Sequence, residues 1–197
     1  MLGDKAAHEP VLHFPQLLYF CSFTLFFTSP LMLSKWQSFL WSLRHRYRAI
    51  LIGGVLAFVM IRYFTMAHPY LLADNRHYTF YIWRWIINRS WWTRYALIPI
   101  HLLGALWIQY LLSDTDIVFR LAWVLCTFVC LVPQRLMEFR YFIVPFLLLR
   151  LHYTRATRFE LLLEILLYII VNAVTVYLFA TKKIRWSDEE PDQRIMW

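Results

Sequence analysis

The stretch LLLEILLYIIVNAVTVYLFA (161–180) carries a single charge, Glu164, close to its start. A helix needs about 20 residues, rising ~1.5 Å each, to cross the ~30 Å hydrocarbon core of a bilayer. The stretch meets that length, and it predicts a membrane-spanning helix over 161–180. Reading outward from it, five more apolar runs appear: 17–33, 49–67, 95–112, 117–133 and 141–149. Their few interruptions fall where a span tolerates them. Arg62 sits near the end of its run and can snorkel to the interface. Pro99 falls in the first turns of its helix, where a lost N–H costs least, and Arg120 stands at a helix start. The run 141–149, bounded by Arg140 and Arg150, is too short to cross alone and reads as a tilted short span or a re-entrant piece.

Composition agrees with this reading. Hydrophobic residues make up 60% of the 197 and charged residues 16%, against about half and about a quarter in soluble domains. A water-soluble fold of this size cannot hide so much apolar surface. The expected class is therefore an all-α polytopic membrane protein, a single membrane domain over 1–197 with five or six transmembrane helices. The net charge of +8 comes from short basic clusters between apolar runs. Those clusters read as topology signals, not as a nucleic-acid-binding stripe. Cys21, Cys126 and Cys130 all lie inside apolar runs and give no disulfide framework. Residues 1–12 lack the basic n-region and cleavage site of a secretory signal, so insertion is expected to rely on the spans.

Orientation follows from Lys and Arg in short loops. Segment 34–48 holds Lys35, Arg44, Arg46 and Arg48 without an acid, whereas Lys5 is accompanied by Asp4 and Glu9 before the first span. Segment 34–48 is thus expected in the cytosol. Span parity then puts 68–94 and 134–140 together on the opposite side.

Those two segments hold the polar motifs. In the first, Asp74, Asn75, Arg76 and His77 set an acceptor, an amide, a permanent cation and an imidazole on four successive residues. Such a set can bind a phosphate together with a sugar hydroxyl. The plain alternative is an interfacial helix with Asp74 or Asn75 as its N-cap. Tyr78, Tyr81, Ile82, Trp85 and Ile86 follow at helical spacing, suited to lying flat among headgroups. In the second motif, Glu138 stands four residues after Gln134 and three after Arg135, so these are expected to neutralise one another on a helix. Arg140 is left without an obvious partner, a candidate for an anionic headgroup or for simple snorkelling. His101, Gln109 and Asn172 read as hydrogen bonds between helices. Glu164, with Glu160 and Arg158 nearby, reads as a paired or solvated helix entrance. No Gly-rich phosphate loop, nucleophile elbow or HExxH metal motif is present, and neither cofactor nor metal is expected.

LLADNRHYTFYIW (71–83) together with RLMEFRYFIVPF (135–146) closely resembles the endoplasmic-reticulum alpha-1,2-glucosyltransferase family. HFPQLLYFCSFTLFF (13–27) and QRIMW (193–197) look like that family as well. The resemblance implies a multi-pass enzyme of the endoplasmic-reticulum membrane with a GT-C-type fold, of which this chain matches about the C-terminal half. The implied donor is dolichyl-phosphate-glucose, and the implied acceptor is the diglucosylated dolichyl-diphosphate oligosaccharide used in N-glycosylation. It also implies that His68, Asp74, Asn75, Arg76, His77, Glu138 and Arg140 belong to the donor or acceptor site. The family's acidic base is expected in an early lumenal loop outside the matched segments. Asp74 and Glu138 are therefore not promoted to that role, and residues 1–197 alone are not expected to transfer glucose. The competing reading is a catalytically incomplete membrane module that binds dolichyl-phosphate lipid or regulates another membrane protein. A transporter is disfavoured, because the spans lack facing charged pairs or paired Gly/Pro breaks.

Overall fold

The computed structural model describes residues 10–186 and 189–195. Lys5 and its acidic neighbours, and the last two residues of QRIMW, lie outside them. Among the described residues eleven α-helices follow in order: α1 (Pro15–Phe27), α2 (Ser29–Met32), α3 (Trp36–Arg44), α4 (Tyr47–Phe64), α5 (Pro69–Ala73), α6 (Tyr78–Ile82), α7 (Thr93–Ala96), α8 (Ile98–Leu111), α9 (Ile117–Leu131), α10 (Arg140–His152) and α11 (Arg158–Thr181). A π-helical turn, Trp83–Ile87, continues α6.

Three helical stretches among the described residues are long and apolar enough to cross a membrane: Tyr47–Phe64, Thr93–Asp114 and Arg158–Thr181. The expected spans at 17–33, 117–133 and 141–149 are shorter. Helix α1 has 13 residues and breaks at Thr28 before α2, α9 has 15 and α10 has 13. The 141–149 run is continuous helix, extended at both ends by its flanking arginines. Pro145 is accommodated inside it, and the Trp123 indole donates to the Pro145 carbonyl at 2.9 Å.

Apolar side chains cover the outside of the bundle as well as filling its core. Leu162, Ile165, Leu166, Ile169 and Ile170 of α11 are all exposed, as are Leu51, Ile52 and Val55 of α4. Apolar residues outside and ion pairs inside is the pattern expected where lipid is the solvent. The all-α class holds, with one addition: strands β1 (Lys183–Trp186) and β2 (Glu189–Arg194) form an antiparallel hairpin after α11, pairing Lys183 with Arg194.

The main core joins Phe20, Phe39, Trp107, Trp123, Phe142 and Phe146 from α1, α3, α8, α9 and α10. Helices α1 and α8 approach so closely at Gly104 that any added Cβ would overlap the Cys21 carbonyl. Ser22 and His101 Nδ1 hydrogen-bond across the same contact at 2.6 Å. Polar contacts at the two ends fix which loops meet. At one end Ser34 and Lys35 reach Glu160, Arg46 reaches Gln109 and Arg155 reaches Asp114. At the other end Gln16 reaches the carbonyls of 134 and 136, and Tyr78 reaches Thr175. Segments 68–94 and 134–140 therefore share one end of the bundle, and 34–48 lies at the other.

Several expected partners are replaced. Glu160 pairs with Lys35 (2.6 Å) and Glu164 with Arg150 (2.7 Å), while Arg158 takes part in neither pair. Glu160 also completes a capping box with Thr157 at the start of α11. His101 and Gln109 do bond between helices, whereas Asn172 donates to the Tyr168 carbonyl one turn back on its own helix.

Candidate functional site

The first polar motif begins where α4 ends. The Thr65 hydroxyl closes the last turn on the Ile61 carbonyl at 2.7 Å, and the chain leaves in extended backbone. His68 is 1% exposed. Its Nδ1 accepts the Tyr70 N–H at 3.1 Å and caps α5, with Pro69 at the first helical position. Its capping role therefore accounts for this imidazole locally.

Asp74 does not act as the N-cap of the next helix. Its Oδ1 accepts the Arg76 backbone N–H at 3.0 Å, a turn that Asp makes two residues on. The Arg76 guanidinium then grips both oxygens, Nε and Nη2 each at 2.9 Å. His77 Nε2 lies 3.5 Å from the same carboxylate. Burial pushes the Asp74 carboxyl up, but the Arg76 hydrogen bonds and the Arg76 and His77 charges outweigh it and hold it below its usual range. The N-cap position of α6 falls to His77, whose side chain makes no capping bond and whose Nδ1 is buried without a hydrogen-bond partner.

Helix α6 and its π turn then dock inward. Trp83, Ile87 and Leu71 of the first motif close around Met137 of the second. The Tyr78 hydroxyl donates to the Thr175 carbonyl of α11 at 3.1 Å, and Lys182 lies 4.0 Å from the centre of the Tyr81 ring.

The second motif is held from behind by the start of the chain. The His13 N–H donates to the Val132 carbonyl at 2.9 Å, and the Gln16 amide donates to those of Gln134 (3.2 Å) and Leu136 (2.9 Å). Burial lowers the His13 pKa and favours the neutral ring that sits 3.3 Å from the Gln134 carbonyl.

Arg140 is not unpartnered. It donates through Nε to Glu138 at 2.6 Å and also contacts it through Nη2, so Arg140 and not Arg135 neutralises this acid. The reason is the backbone: 134–139 is not helical, which removes the spacing that would have joined Arg135 to Glu138, and Arg135 Nε is left buried without a partner. Glu138 is 5% exposed, while the Arg140 side chain is 61% exposed. Its five N–H donors exceed what one carboxylate oxygen uses.

Between the motifs lies a cavity of about 140 Å³, lined by Tyr78, Thr79, Glu138, Phe139, Arg140 and Ile143. Of the seven site residues expected from sequence, Glu138 and Arg140 line it. Asp74, Arg76 and His77 form a cluster at the entrance to α6, immediately before Tyr78, and His68 and Asn75 do not line the cavity. Tyr78 and Thr79 were not singled out as site residues. The alternation of a Tyr with a buried Thr at the start of an amphipathic helix gives no distinctive signal. No group of three His, Cys, Asp or Glu among the described residues is placed to hold a metal.

Residues 1–151 match the DIE2/ALG10 family. The chain is 41% identical to a human Dol-P-Glc:Glc(2)Man(9)GlcNAc(2)-PP-Dol alpha-1,2-glucosyltransferase over 199 aligned residues, all of this chain and 42% of the relative. Proteins of the same name from Drosophila melanogaster and Arabidopsis thaliana are 40% and 38% identical, again over the whole chain and over 44% and 40% of their own lengths. The chain thus spans about two fifths of the length of the curated relatives it matches. No solved structure matches it. With a family match over most of its length and an end-to-end likeness to relatives from animals and plants, the chain belongs to the DIE2/ALG10 family.

Proposed function

We propose that this chain forms the lipid-phosphate side of a glucosyltransferase. The enzyme transfers glucose from dolichyl-phosphate-glucose, in alpha-1,2 linkage, to the diglucosylated lipid-linked oligosaccharide at the lumenal face of the endoplasmic-reticulum membrane. The observation that carries the reading is the cavity between the two motifs, with Arg140 exposed at its mouth and anchored from below by the buried Glu138. An arginine held by one carboxylate is pre-oriented, and its remaining donors can meet the phosphate that departs from the sugar. A preorganised donor of this kind is typically worth about 3–4 kcal/mol in transition-state stabilisation.

The isoprenoid chain remains in lipid along the outward face of α10, where Ile143 and Leu147 are exposed. Thr79 offers a hydroxyl for the sugar, and the Tyr78 hydroxyl, whose proton goes to the Thr175 carbonyl, can only accept from it. The Asp74–Arg76–His77 cluster stiffens the entrance to α6. Asp74 and Glu138 are both engaged by arginines, so neither takes the acceptor proton in this scheme, and a GT-C-type arrangement supplies the base from another lumenal loop.

The experiment is Arg140→Ala and Arg140→Lys in the full-length enzyme, expressed in cells lacking the endogenous activity, with the lipid-linked oligosaccharide analysed. Loss of the terminal glucose in the Ala variant, with partial rescue by Lys, supports the reading, since Lys lacks the planar fork. Full glucosylation in the Ala variant refutes it.

A further inference from the structure

Helix α3, WQSFLWSLR, lies at the end of the bundle away from the candidate site. Phe39 is its anchor: it is 1% exposed and packs edge-on against Trp107 at 5.1 Å and near Tyr110 at 5.9 Å. Trp36, Leu40 and Trp41 point outward and are 51%, 45% and 66% exposed. Two residues beyond α3 begins the membrane-spanning α4, which puts this apolar surface at the boundary between headgroups and acyl chains.

The cations gather at the same corner. Arg44, His45 and Arg48 are exposed, while Arg46 is occupied by Gln109. From Val11 to Ala73 there is no Asp or Glu at all. The acids described at this end are already engaged: Glu160 by Lys35, Glu164 by Arg150, Asp114 by Arg155, and Asp116 as the N-cap of α9. None pairs with Arg44 or Arg48. The Arg48 guanidinium instead lies 5.7 Å from the Tyr47 ring centre and donates to the Tyr47 hydroxyl at 3.2 Å, a contact that leaves its charge unneutralised.

We propose that the corner made by α3 and the first turn of α4 is a binding surface for anionic phospholipid headgroups, in the leaflet opposite the candidate site. Trp36, Leu40 and Trp41 insert at the acyl boundary, and Arg44 and Arg48 take the headgroup charge. Amphipathic helices with aromatic and basic residues bind membranes through this pair of terms. Each arginine near an anionic surface contributes roughly fivefold, equivalent to about 1 kcal/mol. The inference is independent of the glucosyl-transfer reading.

The test reconstitutes the full-length protein in phosphatidylcholine vesicles with trace spin-labelled phosphatidylserine or phosphatidylcholine. The readout is the ratio of the fractions immobilised at the protein. The wild type should prefer phosphatidylserine, and 0.5 M NaCl should abolish much of that preference by screening. Arg44→Gln/Arg48→Gln should lower the low-salt preference by about fivefold or more. The charge-neutral control Arg155→Gln/Asp114→Asn, at the same end, should leave it within about twofold. A preference unchanged in the Arg44/Arg48 variant, or lowered equally by the control, overturns the proposal. Circular dichroism of each variant verifies that the helices are retained.

Discussion

The Gln16 side-chain amide donates to the Leu136 carbonyl at 2.9 Å, joining residues 120 positions apart in the chain. A second bond to the Gln134 carbonyl makes the first turn of α1 the clamp on the segment that carries Glu138 and Arg140. Gln16 is fully buried, so its polarity serves this contact. Replacing it by Ala removes two N–H donors, leaving the half-buried Leu136 carbonyl without this partner and the Gln134 carbonyl with only the His13 ring beside it, at a cost of about 1–3 kcal/mol.

Gln16→Ala should therefore loosen 134–140 while leaving the bundle helical. Hydrogen exchange of that segment in the full-length protein should rise relative to α8. Glucosyl transfer should fall without loss of expression. Equal protection in variant and wild type would show that Gln16 is dispensable for holding the segment.

The Lys35–Glu160 pair gives a test of stability at the opposite end. Lys35→Met leaves a buried carboxylate with only the Ser34 hydroxyl and the Thr157 N–H as company, and breaking one partner of such a pair typically costs about 3–5 kcal/mol. Lys35→Met/Glu160→Leu should cost clearly less in thermal unfolding, because no charge is stranded. Equal destabilisation of the single and double variants would contradict this.

Asp74 supplies a pH signature. Its pKa in the folded state is lowered, so the stability it contributes is present above the unfolded-state value of about 3.9 and is lost as pH falls through the folded value. Exchange at the Arg76 amide, expressed relative to its intrinsic rate at each pH, should thus stay slow through pH 5 and accelerate under stronger acid. Asp74→Asn should be faster already at pH 7 and should flatten that acid-induced rise. A variant with the wild-type acid profile would show that Asp74 does not hold this turn.

Topology can be checked independently. Cysteines placed at Asn75 and Gln134 should be labelled by an impermeant reagent from the same side of sealed microsomes, and one at Arg48 from the other side. Labelling of the first two from opposite sides would break the shared end on which the site depends.

The membrane class was legible in residues 161–180 and their neighbours, because spanning hydrocarbon is a matter of length and polarity that a linear sequence states directly. The candidate site was legible as two motifs with a common side, since parity of spans follows from the order of apolar runs. Which side chains meet was not legible. Arg135 stands at better helical spacing to Glu138 than Arg140 does, yet Arg140 makes the pair because 134–139 is not helical, its 134 and 136 carbonyls being bonded to Gln16 instead. Lys35 finds Glu160 from 125 residues away for the same kind of reason: in apolar surroundings a charge must be matched by whatever opposite group the packing brings near, regardless of sequence distance. Spacing along the chain determined where the long apolar helices run and which of their connections share an end, but not the β1–β2 hairpin or the non-helical 134–139. Only the packing of α1 against α8 and the docking of Met137 between Leu71 and Trp83 decided that Tyr78, Thr79, Glu138 and Arg140 enclose one cavity, because those contacts depend on shape and burial summed over the whole bundle.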